Sequence, residues 1–144
     1  MSSPDLAAPI YAAITGNTDI ASMLPIYAGA KTVFTARPVK SDVLYPMIIS
    51  AANVTHGDQD FIDNPLPVIV RDISIFGQND TAQHSRDVEA LAFKVRDFFH
   101  RQRQSLSVPG WNVVDIVCKG PIVGPTDDDR IVHRLVELTV RLSQ

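Results

Sequence analysis

The sequence predicts an α+β fold: an antiparallel or mixed sheet packed against one long helix and a shorter N-terminal one, with a long β-hairpin in the sheet. Three stretches carry that prediction. In 130–142, Val132, Val136, Leu138, Val140 and Leu142 fall on one side of an extended chain, and His133, Glu137, Thr139 and Arg141 on the other. Such alternation marks a strand with one covered face. Residues 66–78, LPVIVRDISIFGQ, are rich in β-branched side chains that suit a pleated surface. In 88–99, Val88, Leu91, Ala92, Val95, Phe98 and Phe99 recur at helical spacing and form a continuous apolar stripe.

The remaining elements come in chain order. Ser3 can cap a helix, Pro4 has no amide hydrogen to orphan, and Asp5 suits the positive end of a helix dipole. Leu6, Ile10, Ala13 and Ile14 then share a face until Gly16-Asn17 stops the turn. A short second helical segment is expected over 19–24, ended by Pro25. A short strand is expected over 32–36 and a longer one over 45–55, with Pro46 tolerated at its mouth. Residues 56–65, HGDQDFIDNP, read as a polar, turn-rich, exposed loop joining that strand to 66–78. Asp80 with Gln83 three residues on matches a capping box for the long helix, and His100, Arg101 and Arg103 sit where cations favour its end. A short strand over 105–108, a turn at Pro109-Gly110, a strand over 111–121 and a turn over 123–129 lead into the final strand. The chain carries no repeat and no linker, so 1–144 is expected to form one domain.

Composition narrows the function. A net charge of −3 argues against general nucleic-acid binding, which favours a basic domain. The single cysteine excludes an internal disulfide and leaves too few thiolates for a structural zinc site. No apolar run reaches the ~20 residues that span a bilayer. The N-terminus lacks the basic flank and apolar centre of a signal peptide, so the chain is expected to be made and used in the cytoplasm, or carried out of the cell inside something else.

Catalytic motifs find little support. His84 and Asp87 stand about one helical turn apart, yet nucleophilic catalysis needs a third group, and Ser85 points to a different face. That seam reads as a helix start. Asp127-Asp128-Asp129 lack the alternating ligands, glycine and closing Glu of a calcium loop, and Asp58, Asp60 and Asp63 fail the same test. His56 and His133 have no partner at metal-ligand spacing and read as surface or subunit-contact residues. Cys118, although beside Lys119, lies in an apolar strand and reads as packing. No phosphate-binding or nucleophile-elbow pattern is present. No metal, cofactor or catalytic residue is therefore assigned.

Two features point instead to other protein chains. The 56–65 loop is longer than a hairpin needs and embeds Phe61 and Ile62. The last strand carries Arg130, Arg134 and Arg141, charges that would suit a sheet edge. The residues assigned to subunit or partner contact are His56, Asp58, Asp60, Phe61, Ile62 and Asp63 of the loop, together with Asp127, Asp128, Arg130, His133, Glu137 and Arg141.

The order of pieces resembles a family. YAAITGNTDIASMLP is followed by YPMIIS, then ISIFGQND, the helix DVEALAFKVRDFF, and RIVHRLVELTVRL. Over nearly the whole chain this is similar to the tail terminator, or tail-completion, proteins of long-tailed bacteriophages and gene-transfer particles. It departs at IFGQND, where relatives place Trp-Ser before the helix: Phe76 keeps the aromatic and the cap comes later. The resemblance implies a non-catalytic virion protein of the tail or neck, assembled in the host cytoplasm. It implies a homohexameric ring that caps the head-proximal end of the tail tube, stops polymerisation and meets the head-tail connector or stopper. Its partners would be itself, the tail tube protein and the connector, with no membrane and no specific nucleic acid, the ring at most lining the DNA channel. The alternatives are another neck component, such as a head-completion or stopper protein, and a small cytoplasmic enzyme or ligand-binding protein.

Overall fold

The computed structural model describes residues 4–36, 42–50, 53–61, 64–126 and 128–144, with 53–61 and 64–65 described by backbone alone. Ser3, Ile62, Asp63 and Asp127 lie outside the described residues. Helix α1 (Ala7–Gly16) starts after Asp5, whose carboxylate accepts the Ala7 amide at 2.9 Å. Leu6, Ile10 and Ile14 are fully buried, as their common face requires. Asn17 closes α1 and caps the short α2 (Thr18–Ala21) by accepting the Ile20 amide.

The expected strand over 32–36 shrinks to β3 (Val33–Phe34). It is preceded by a two-residue ladder, β1 (Ile26–Tyr27) with β2 (Ala30–Lys31), that no pattern announced. Of the strand expected over 45–55, residues 47–49 form β4 (Met47–Ile49) and 53–55 open the next strand, while 51 and 52 lie outside the described residues. The loop expected over 56–65 is corrected: 56–61 belong to β5 (Asn53–Phe61), an antiparallel partner of β6 (Asn64–Gln78) up to the Phe61↔Asn64 pair. The polar residues are held by backbone pairing, which needs no apolar side chain.

Helix α3 (Ala82–Phe99) is capped by Thr81, whose hydroxyl accepts the His84 amide at 3.1 Å, and not by Asp80. Gln83 bonds Asp87 instead of reaching back to the cap. Val88, Leu91, Ala92, Val95 and Phe99 are buried, and Phe98 is half-buried against Phe99. The strand expected over 105–108 is absent: a single 3-10 turn, Arg103–Ser105, precedes an extended stretch that buries Leu106 and Val108.

Strand β7 (Asn112–Val123) and β8 (Ile131–Ser143) complete a six-stranded mixed sheet of order β3-β4-β6-β8-β7, with β5 beside β6. β8 is therefore not an edge: it pairs with β6 on one side and β7 on the other, because both of its neighbours present matching apolar rows. Ile69, Ile73, Ile75, Val136, Leu138, Val140 and Leu142 are all 0% exposed beneath α1 and α3. Burying each such side chain contributes about 1.5–3 kcal/mol. Arg71 lies within the same row, opposite Leu138, and is 4% exposed. It donates to the Ser50 hydroxyl at 2.8 Å and carbonyl at 2.6 Å, bonds that offset the loss of water around its charge. The opposite sheet face carries a smaller cluster, Val43, Met47 and Ile49 with Tyr27, Phe34, Tyr45 and Phe76.

Candidate functional site

The seam between β6 and α3 forms a cavity of about 60 Å³ lined by Tyr45, Pro46, Gly77, Gln78, His84, Asp87 and Val88. That is room for a few waters at most. His84 Nδ1 lies 2.5 Å from Asp80, while Asp87 accepts from Gln83 at 2.8 Å. The hydrogen bond that His84 donates to Asp80, helped by the carboxylate's charge, raises the His84 pKa, and the same bond lowers that of Asp80. The imidazole is thus held by a surface carboxylate on the preceding turn, and the His84–Asp87 relay that a base would need does not form. Among the described residues, no group of three or more His, Cys, Asp or Glu side chains could hold a metal ion. Cys118 is buried in β7, and loss of solvation pushes its thiol up to about 12, far from a reactive thiolate.

Most of the described residues assigned to partner contact lie toward two ends of the sheet, with Glu137 between them. β6 leaves the hairpin turn and runs toward α3, and β8 returns antiparallel, with Val68 opposite Arg141 and Gln78 opposite Ile131. Those pairs stand ten residue steps apart, about 33 Å. His56, Asp58, Asp60 and Phe61 lie on β5, in register with Ile69, Pro67, Pro65 and Asn64, at the Arg141 end. Asp128 and Arg130 lie at the other end, where the Asp128 carboxylate takes the Arg130 amide at 2.9 Å and guanidinium at 3.0 Å. That paired turn fits the reading of the acidic run as a solvated turn.

His133 departs from its expected surface position. It is 5% exposed, stacks on Phe76 with ring centroids 4.1 Å apart, and donates from Nδ1 to the Pro125 carbonyl at 2.8 Å. Gly124 makes this possible, since a Cβ there would collide with the imidazole ring. Glu137 lies midway on the sheet face opposite the helices, in a row that crosses three strands as Lys119, Glu137 and Asp72. The Asp72 Oδ1 is buried without a hydrogen bond among the described residues. Burial, then the charge of Glu137, raise the Asp72 pKa, and His133 partly opposes them.

The two flanks of the sheet differ in a way the pattern of residues did not reveal. β7 turns its outer backbone toward the end of α3: the Ile116 carbonyl accepts the Arg101 amide at 2.8 Å, and the Cys118 amide donates to His100 Nδ1 at 3.0 Å. His100, expected as a cation for the helix dipole, serves here as an acceptor. Register shifts at Val113/Asp115 and Lys119/Ile122, with Pro121 inside the second, further interrupt that flank. β5, by contrast, keeps an unbroken register from Thr55 to Phe61 and pairs, among the described residues, with β6 alone.

No family model matches the chain. No curated protein matches it in sequence. Among solved structures, it is similar to a chain of "Virion of native gene transfer agent (GTA) particle", with a TM-score of 0.77 at 14% identity over 96% of this chain and 95% of that one. At that identity the likeness is one of fold, end to end. Among the described residues, no helix is long and apolar enough to cross a membrane.

Proposed function

We propose that this chain is a structural virion protein, and that it forms a homohexameric ring closing the head-proximal end of a phage-type tail tube. In that place it ends tube polymerisation and offers the head connector or stopper a surface. The observation that carries the reading is the fold shared over nearly the full length of both chains with a component of a gene transfer agent virion. The order of sequence pieces that resembles tail terminators agrees with it. So does the split of the candidate contact residues between two ends about 33 Å apart, because a ring between tube and connector must meet two different partners. Neighbours in such a ring make heterologous contacts, one surface against a different one, and rotation closes the set. Six modest contacts then act together. The reading gives the chain no catalytic step.

Electron microscopy of tails assembled with and without this protein tests the proposal. Overlong tubes that fail to join heads are expected in its absence. Tubes of normal length that fail only at joining would assign the chain to the head-side stopper instead. Normal tails firmly joined to capsids would overturn both.

A further inference from the structure

We propose that the outer edge of β5 receives an extended, cationic segment of another polypeptide by strand addition. The proposal goes beyond the ring reading and stands on the edge itself, so it survives if that reading fails. An unpaired strand edge presents a row of amide and carbonyl groups that a further strand can complete, and folded proteins usually obstruct such edges. The β7 flank is obstructed three times over: by His100 and Arg101 bonded to Cys118 and Ile116, by two register shifts, and by Pro121. β5 carries one register shift, at its Asn53/Thr55 start, and among the described residues none of the other obstructions, with no proline between Asn53 and Phe61 and a regular register from Thr55 onward. Its partner β6 places Pro65 and Pro67 opposite Asp60 and Asp58, so two positions of the arm supply no amide hydrogen there. Of the arm's two strands, only β5 keeps every donor. Gly57, in its middle, adds no side chain to hinder an approaching backbone.

Charge selects the occupant. From Asn53 to Val70 the chain holds Asp58, Asp60 and Asp63 and no Lys or Arg. A second copy pairing β5 against β5 would set carboxylates against carboxylates, which opposes that pairing. A strand bearing lysine or arginine would meet complementary charge at the same positions, and its backbone would supply the ladder. Edge geometry thus provides affinity, and the acidic arm disfavours self-pairing.

The full-length protein can be titrated with a fluorescent peptide of alternating lysine and valine. Its glutamate-valine counterpart and two versions N-methylated at alternate amides serve as controls. The lysine peptide is expected to bind saturably, one per chain, and more weakly as salt is added. Binding should be lost with one N-methylated version and kept with the other, because one set of strand amides faces the ladder. D58K together with D60K should weaken binding about tenfold, a change of about 1.4 kcal/mol. In the unaltered protein, peptide should slow hydrogen exchange in β5 and leave β7 unchanged, a readout independent of whether the variant folds. Equal binding by both N-methylated peptides would reduce the effect to charge alone and overturn the proposal. Binding by the glutamate peptide, indifference to the double substitution, slowed exchange in β7 instead of β5, or no binding at about 1 mM would overturn it too.

Discussion

Gly77 is the point at which strand β6 meets helix α3, and its replacement by alanine tests that junction. A methyl placed there overlaps the Cγ2 methyl of Val88, which is 2% exposed and held by the helix stripe. Adding one methylene-sized group against a packed side chain costs about 1–3 kcal/mol. Gly77 does not need a left-handed backbone, so alanine regains about 0.4–1 kcal/mol by restricting the unfolded chain. The net expectation for G77A is a loss of about 1–2 kcal/mol. V88A removes two buried methyls, costing about 1.6 kcal/mol in transfer and somewhat more for the space left behind. In the double variant the new methyl occupies the vacated space, so the total loss should fall short of the sum by about 1–2 kcal/mol. Urea unfolding followed by circular dichroism measures all four proteins, and unchanged slopes confirm a common unfolding transition. Losses that add to within about 0.5 kcal/mol would refute the contact. A neutral G77A would do the same.

Two further outcomes rest on the electrostatics. Asp72 faces Glu137 across the β6–β8 ladder and has its pKa raised by burial and by that charge. A raised folded-state pKa favours folding at acid pH, and the benefit is lost as pH rises through the folded value. At neutral pH the ionised Asp72 therefore costs stability, and D72N should gain about 0.5 kcal/mol after screening by water, or ~2 °C in Tm. The gain should vanish below the ordinary carboxylate range, and a D72N protein less stable at pH 7 would contradict the assignment. Cys118, with its thiol pushed up to about 12, should resist a thiol-exchange reagent at pH 8 until denaturant exposes it. Reaction of the folded protein at the pace of a free thiol would show that the core packed on β7 does not cover it.

Elements whose packing repeats along their own length were legible. The α3 stripe from Val88 to Phe99 is buried as spaced. The alternation of Val136, Leu138, Val140 and Leu142 marks the covered face of β8. What escaped depends on partners distant in sequence. Asp58, Gln59 and Asp60 resemble a turn by composition and become a strand only because Leu66, Pro67 and their neighbours pair with them. The arginines of 130–142 suggest an edge, yet β8 is central: Arg130 precedes it, Arg141 lies on the face opposite the helices, and Arg134 stands opposite Ile75, partly exposed. Asp80 and Thr81 are both good caps, and backbone geometry chooses the second. The burial of His133 comes from Phe76 across the ladder and the missing side chain of Gly124, neither of which a lone histidine announces. Thus, of the candidate site, the arm as a feature was visible, its conformation was not, and the contrast between flanks emerged only from hydrogen bonds.

That contrast limits how copies of this molecule can polymerise. Runaway fibre growth through sheet edges requires each unit both to accept a strand and to donate one, so that every addition regenerates the template. Here the middle of β7 has already committed its outward groups to His100 and Arg101. A copy could be extended at β5 and still offer no equivalent docking line on its far flank, so the chain ends after one step. Concentrated protein would be spared one route to amyloid without sacrificing its adhesive arm.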